Sequence, residues 1–105
     1  MDRIADYPRI LETYPREQAD VPFAPGVRLK LSLVVDRERN QYLLFTIGEH
    51  AQKRVHRVDL HLTTEENKVL LLENNTDLEL VEDLKAAGIP AEDIVDATQD
   101  QELVN

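Results

Sequence analysis

From Val27 to Val35 every second residue is apolar: Val27, Leu29, Leu31, Leu33 and Val35 alternate with Arg28, Lys30, Ser32 and Val34. A period of two sends alternate side chains to opposite sides of an extended chain, so this stretch predicts a strand with one apolar face. Three further runs follow closely. Gln41–Ile47 reads as a second strand, with Leu43, Phe45 and Ile47 expected inward and Tyr42, Leu44 and Thr46 outward. Lys53–Thr63 reads as a third, with Val58, Leu60 and Leu62 inward and Arg57, Asp59 and His61 outward. Lys68–Glu73 is a fourth, apolar on both faces through Val69, Leu70, Leu71 and Leu72. The connections at 36–40, 48–52 and 64–67 are too short for crossovers, which favours antiparallel neighbours. The expected sheet is a four-stranded antiparallel meander.

Helical signals flank these strands. Ile4, Tyr7, Leu11 and Tyr14 form one stripe at helical spacing, which predicts a helix over residues 2–14. Pro8 either kinks it or follows a cap at Asp6 or Tyr7, and Pro15 is expected to end it. Residues 15–26 hold three prolines and a glycine and read as a loop. Thr76-Asp77-Leu78-Glu79 matches a capping box, which predicts a second helix from there to about Ala87. Gly88 suits the left-handed position after the last turn, with Ile89 as the hydrophobic contact beyond it. Residues 90–95 are expected to form a short turn and 96–105 a loose tail. The expected architecture is a single α+β domain over residues 1–105, ordered α-β-β-β-β-α, with both helices on one sheet face.

Several function classes drop out on composition. The chain has no Cys, which removes disulfides, Cys-ligated metals and thiol catalysis and suits a cytoplasmic protein. No apolar run approaches the length of a membrane span, and the N-terminus has no signal-peptide core. Three glycines cannot build a phosphate loop, and no cofactor is expected. The net charge of −9 makes the isolated chain a poor binder of nucleic-acid phosphates. DNA is therefore expected at most indirectly, through Arg37, Arg39, Lys53 and Arg54 inside a larger complex. That charge is segregated: residues 1–57 carry +2 and residues 58–105 carry −11, a pattern that suits an acidic surface meeting a basic partner.

Catalytic constellations are weak. His56 and His61 lie five residues apart, on opposite faces of an unbulged strand, and cannot share a metal there. Asp59, Glu66 and Lys68 resemble a fragment of a metal-nuclease signature, but that chemistry needs converging carboxylates. An enzyme, either a metal-dependent nuclease or a small hydrolase, is thus the alternative to a non-catalytic interaction protein. The expected interaction surface comprises Val34, Tyr42, Leu44, Leu70 and Leu72 on the outward face, with Arg54, His56 and His61. It is expected to hold a homodimer first and a protein partner second.

The chain also resembles the XisI family, the fdxN element excision controlling factors of cyanobacteria. The resemblance rests on Asp36-Arg37-Glu38-Arg39 followed by Tyr42 and Gly48, then Arg54-Val55-His56 and Leu60-His61-Leu62. It continues with Lys68-Val69, Thr76-Asp77, the run Glu82–Pro90 and Glu92-Asp93-Ile94-Val95. Glu49 and Arg57 stand where the family commonly has Trp and Gly, and the tail after Val95 departs from the family's ending. The resemblance implies a non-catalytic accessory factor acting with a nuclease-like XisH partner in programmed DNA element excision during heterocyst differentiation. An acidic inhibitor or antitoxin of such a partner is a variant of that reading. No catalytic residue is implied.

Overall fold

The computed structural model describes residues 7–21 and 23–98; Ile4, the candidate cap Asp6 and the tail at 99–105 lie outside them. Helix α1 spans Tyr7–Ala19, so the expected stop at Pro15 is overturned. Proline removes one N–H and crowds one carbonyl. Here its ring is buried in register with Tyr7 and Leu11, and that packing carries the helix through.

Strands β1 (Arg28–Asp36), β2 (Gln41–His50), β3 (Lys53–Glu65) and β4 (Lys68–Asn74) form the expected meander, each antiparallel to its predecessor. Helix α2 (Leu80–Ala86) and a single 3-10 turn over Ala91–Asp93 follow. The chain then adds a fifth strand, β5 (Ile94–Asp96), parallel to β4. The fold is therefore α+β with a five-stranded sheet in the order β1-β2-β3-β4-β5, not a four-stranded sheet that ends on a helix. Residues 94 and 95, expected in a turn, and residue 96, expected in the loose tail, pair because Ile94 brings its side chain into the core beside Val69 while its neighbours complete the ladder.

Both helices lie on one face. Tyr7 and Leu11 of α1 and Leu80 and Leu84 of α2 share the core with Leu60, Leu62, Val69 and Leu71. Two long bonds tie the helix layer together. Tyr7 donates to Asp93 at 2.5 Å and Tyr14 donates to Asp83 at 2.6 Å. Burial, reinforced by the Asp83 carboxylate, pushes the Tyr14 hydroxyl well above the usual phenol range.

The register of β2 reverses its expected faces. The turn at 37–40 pairs Asp36 with Gln41, so each odd residue of β1 sits beside an even residue of β2: Val35 with Tyr42, Leu33 with Leu44, Leu31 with Thr46. Tyr42, Leu44 and Thr46 are consequently buried, while Leu43, Phe45 and Ile47 face away from the helices. Asp36 holds the turn by accepting from the backbone N–H groups of Glu38 and Arg39.

A bulge at Asp59 changes the phase of β3, because Leu44 pairs with Leu60 but Phe45 pairs with Val58. Leu60 and Leu62 stay inward as expected, whereas Val58 turns outward. Asp59, expected outward, is 4% exposed and accepts hydrogen bonds from Thr46 and from Arg57, the latter at 3.1 Å. A second irregularity inserts Leu72 between the pairs Leu62–Leu71 and His61–Glu73.

The capping box does not form. Thr76 donates to Asn74 at 2.6 Å and accepts from the Leu78 N–H, so its hydroxyl closes a turn before the helix. Glu79 occupies the cap position of α2 with no side-chain bond. The other end matches the expectation: Gly88 donates to the Lys85 carbonyl, Ile89 donates to that of Leu84, and Ile89 is buried. Gly88 has φ of 119°, and a Cβ at this position would project into open space, with nothing within 4 Å. Gly88→Ala is therefore expected to destabilise the domain by about 1 kcal/mol, through backbone strain alone. A urea midpoint identical to that of the native chain contradicts this reading of the helix stop.

Candidate functional site

Pairing across the ladders places Val34, Leu43, Phe45, Ile47, Val58 and Leu70 on the sheet face away from the helices. None of them belongs to the helix-covered core. Val34 is 48% exposed and Val95, which extends the face beside Leu70, is 38% exposed; the others are half-buried between neighbouring side chains. Of the residues expected there from sequence, Val34 and Leu70 take their places. Leu72 sits at the irregularity in β4. Tyr42 and Leu44 do not belong to the surface, because the turn register turns both into the core at 1% and 2% exposure. Burial also raises the Tyr42 hydroxyl above its ordinary pKa, and among the described residues that hydroxyl has no hydrogen-bond partner.

The polar residues of the face are arranged along the strands. His61 lies 2.6 Å from the Gln41 carboxamide oxygen, Gln41 donates to Thr63, and Thr63 donates to the Asn40 carbonyl. This chain of bonds satisfies part-buried polar groups at the hairpin end of the face. His56 packs its ring against Phe45 at 5.6 Å, tilted by 42°. Arg54 lies opposite Glu49 at the far end, and Arg28 approaches the same Glu49 at 3.9 Å.

The bulge at Asp59 has a consequence for the histidines. His61 pairs with Leu43 and His56 with Ile47, so the two rings share the outer face, contrary to the expectation from an unbulged strand. Four residues separate their partners, a distance of about 13 Å along the sheet, too far for one metal ion. Among the described residues no group of three His, Asp or Glu side chains is placed to hold a metal. The Asp59, Glu66 and Lys68 trio is likewise not brought together. Asp59 lies in the middle of β3 under Thr46, while Glu66 and Lys68 flank the hairpin tip, and Lys68 turns to Asp93 at 3.5 Å.

A second surface lies on the helix side. Glu79, Glu82 and Asp96 rim a groove of about 220 Å³ between α2 and β5, floored by Leu71 and Leu80. Asp77 and Glu92 are exposed on the same C-terminal half, where Lys85 pairs with Glu82. The acidic character read from the sequence is thus carried on exposed side chains around α2. Elsewhere, Glu12 bonds both Arg37 and Arg16, and these guanidinium partners hold its carboxyl below the usual range despite some desolvation.

Comparison with known proteins bears on this arrangement. A family model described as XisI protein matches residues 1–104. The crystal structure of a XisI-like protein from Anabaena variabilis ATCC 29413 superposes with a TM-score of 0.78 at 27% identity, over 88% of this chain and 84% of that one. The fdxN element excision controlling factor XisI from the same organism superposes with a TM-score of 0.72 at 28% identity, over 90% of each chain. No curated protein matches the chain.

Proposed function

This chain belongs to the XisI family, and from that premise we propose that it is a non-catalytic accessory factor in the control of DNA element excision. It acts by binding a nuclease-like, XisH-type protein rather than by chemistry of its own. The solved relative described as an fdxN element excision controlling factor supports the excision-control role. The observation that carries the mode of action is the segregation of charge: exposed carboxylates crowd α2 and its flanks, away from the basic end of the sheet. An acidic surface of this kind steers and orients a basic partner. It also competes for the groove with which such a partner holds DNA phosphates, which accounts for control without catalysis.

The test is capture of a purified XisH-type protein by this chain. Immobilised native chain is expected to retain it, with retention falling steadily as salt is raised, because exposed charge pairs are screened. Glu79→Lys/Glu82→Lys is expected to lose most of the capture while melting normally. The same chain alone is expected to show no duplex DNA binding at physiological salt, given its −9 charge. Retention indifferent to both salt and the double substitution overturns the proposed contact surface, and no retention at all overturns the partnership.

A further inference from the structure

We propose that the outer face of the sheet is covered by a second copy of this chain, packed face to face about a two-fold axis running across the strands. The inference rests on sheet geometry and is independent of the nuclease-like partner proposed for the acidic surface around α2.

The first observation is that nothing in the described chain covers Leu43, Phe45, Val58 and Leu70; α1, α2 and the 3-10 turn contribute to the opposite side. Residues 99–105 supply only Leu103 and Val104 as apolar side chains, beside Asp100 and Glu102. The second observation is a charge polarity along the strands. β1 enters with Arg28 and Lys30 and leaves with Asp36, and β3 enters with Lys53 and Arg54 and leaves with Glu65. Both strands are antiparallel to β2 and so run in the same direction. The outer face is therefore net basic at one end, where Arg28, Lys30 and Arg54 surround the single carboxylate of Glu49, and carries Asp36 and Glu65 at the other.

That polarity selects one symmetry. An axis along the strands lays the basic end of each sheet on the basic end of the other. An axis across the strands keeps each strand over its own copy but reverses its direction. Arg28 then meets Asp36 of the second copy, Arg54 lies over Thr63 with Glu65 one row beyond, within reach of the long guanidinium side chain, and Phe45, in the middle row beside Ser32 and Val58, lies near the axis. Isologous contacts of this type close on themselves and leave no open end.

The third observation is size. Four strands about 4.8 Å apart and some 27 Å long present about 500 Å² of plane per copy. The pair thus reaches roughly 1,000 Å² before side-chain relief is counted, the scale at which specific interfaces begin.

The experiment is sedimentation equilibrium on the full chain over a dilution series. The native protein is expected at twice its 12.1 kDa mass. Leu43→Glu, shown to be folded by its thermal melt, is expected to run as a monomer. Arg54→Glu and Glu65→Arg are each expected to weaken self-association by about tenfold, because both symmetry-related pairs become repulsive. The combination Arg54→Glu/Glu65→Arg is expected to restore it, since the pairs re-form with their charges exchanged. This swap preserves the test if Leu43→Glu fails to fold. A native chain that stays at 12.1 kDa at the highest concentration overturns the proposal, as does self-association that survives folded Leu43→Glu. Failure of the charge swap to restore association overturns the proposed orientation and with it the two-fold packing. A native chain that is monomeric alone, but whose Leu43→Glu variant loses capture of the XisH-type protein, assigns the face to that partner instead and overturns the second copy.

Discussion

Leu44→Glu is expected to abolish the cooperative fold, while Leu43→Glu, one residue earlier, leaves it standing. The two side chains lie on opposite faces of β2: Leu44 is 2% exposed between Leu33 and Leu60, and Leu43 lies on the face the helices do not touch. Truncating a leucine in a site like that of Leu44 costs about 2–5 kcal/mol. A carboxylate placed there must in addition lose its hydration or force its neighbours apart. A domain of this size holds about 5–15 kcal/mol in total, so the substitution consumes most or all of it. Circular dichroism melts and amide dispersion separate the two variants directly. A normal melt for Leu44→Glu together with a collapsed Leu43→Glu means that the β1–β2 register is shifted by one residue.

Gly48→Ala is the second large effect. Gly48 stands opposite Leu29 in the ladder with φ of 138°, and a Cβ there falls 2.0 Å from the Arg28 carbonyl oxygen. Both obstacles are backbone: the conformation disfavours any side chain, and the clash cannot be relieved by rotating a neighbouring rotamer. The first residues of β1 must part from β2, with an expected loss of about 3 kcal/mol, against about 1 for the unobstructed Gly88. The urea midpoint measures it, and exchange of the Leu29 and Lys30 amides should accelerate in the same variant. A loss no greater than that of Gly88→Ala shows that β1 moves aside at little cost.

The helix-covered face of β1 was readable because its alternation is clean. In β2 both alternations are apolar, so hydrophobicity alone does not choose between Tyr42/Leu44 and Leu43/Phe45/Ile47. The deciding signal was the turn. With residues 37–40 as the loop, odd positions must face even ones, and Leu33 then calls for Leu44. The bulge at Asp59 leaves no comparable mark, since a polar residue in mid-strand reads as outward until Thr46 and Arg57 are seen to satisfy it. The inserted Leu72 is hidden in a run of leucines. The capping box at Thr76 was a local rule beaten by a nearer partner, Asn74, which takes the hydroxyl first. Three residues at 94–96 are too few to show a period, so β5 emerges only when β4 offers its edge. The outer surface was therefore legible as an apolar excess on the wrong side of the sheet, with half of its members misassigned by one step of register.

The two long bonds of the helix layer have a kinetic meaning. Strands β1 to β4 each pair with the strand just before them, across loops of a few residues, so the sheet closes at little entropic cost and can assemble hairpin by hairpin. Tyr7 to Asp93 and Tyr14 to Asp83 instead span 86 and 69 residues. The domain is in this sense a self-assembling ribbon with a clasp. The clasp fastens after the ribbon exists, and it is the first part to come undone when the molecule breathes. Partial opening releases α1 and β5 together while the central hairpin of β2 and β3 stays shut.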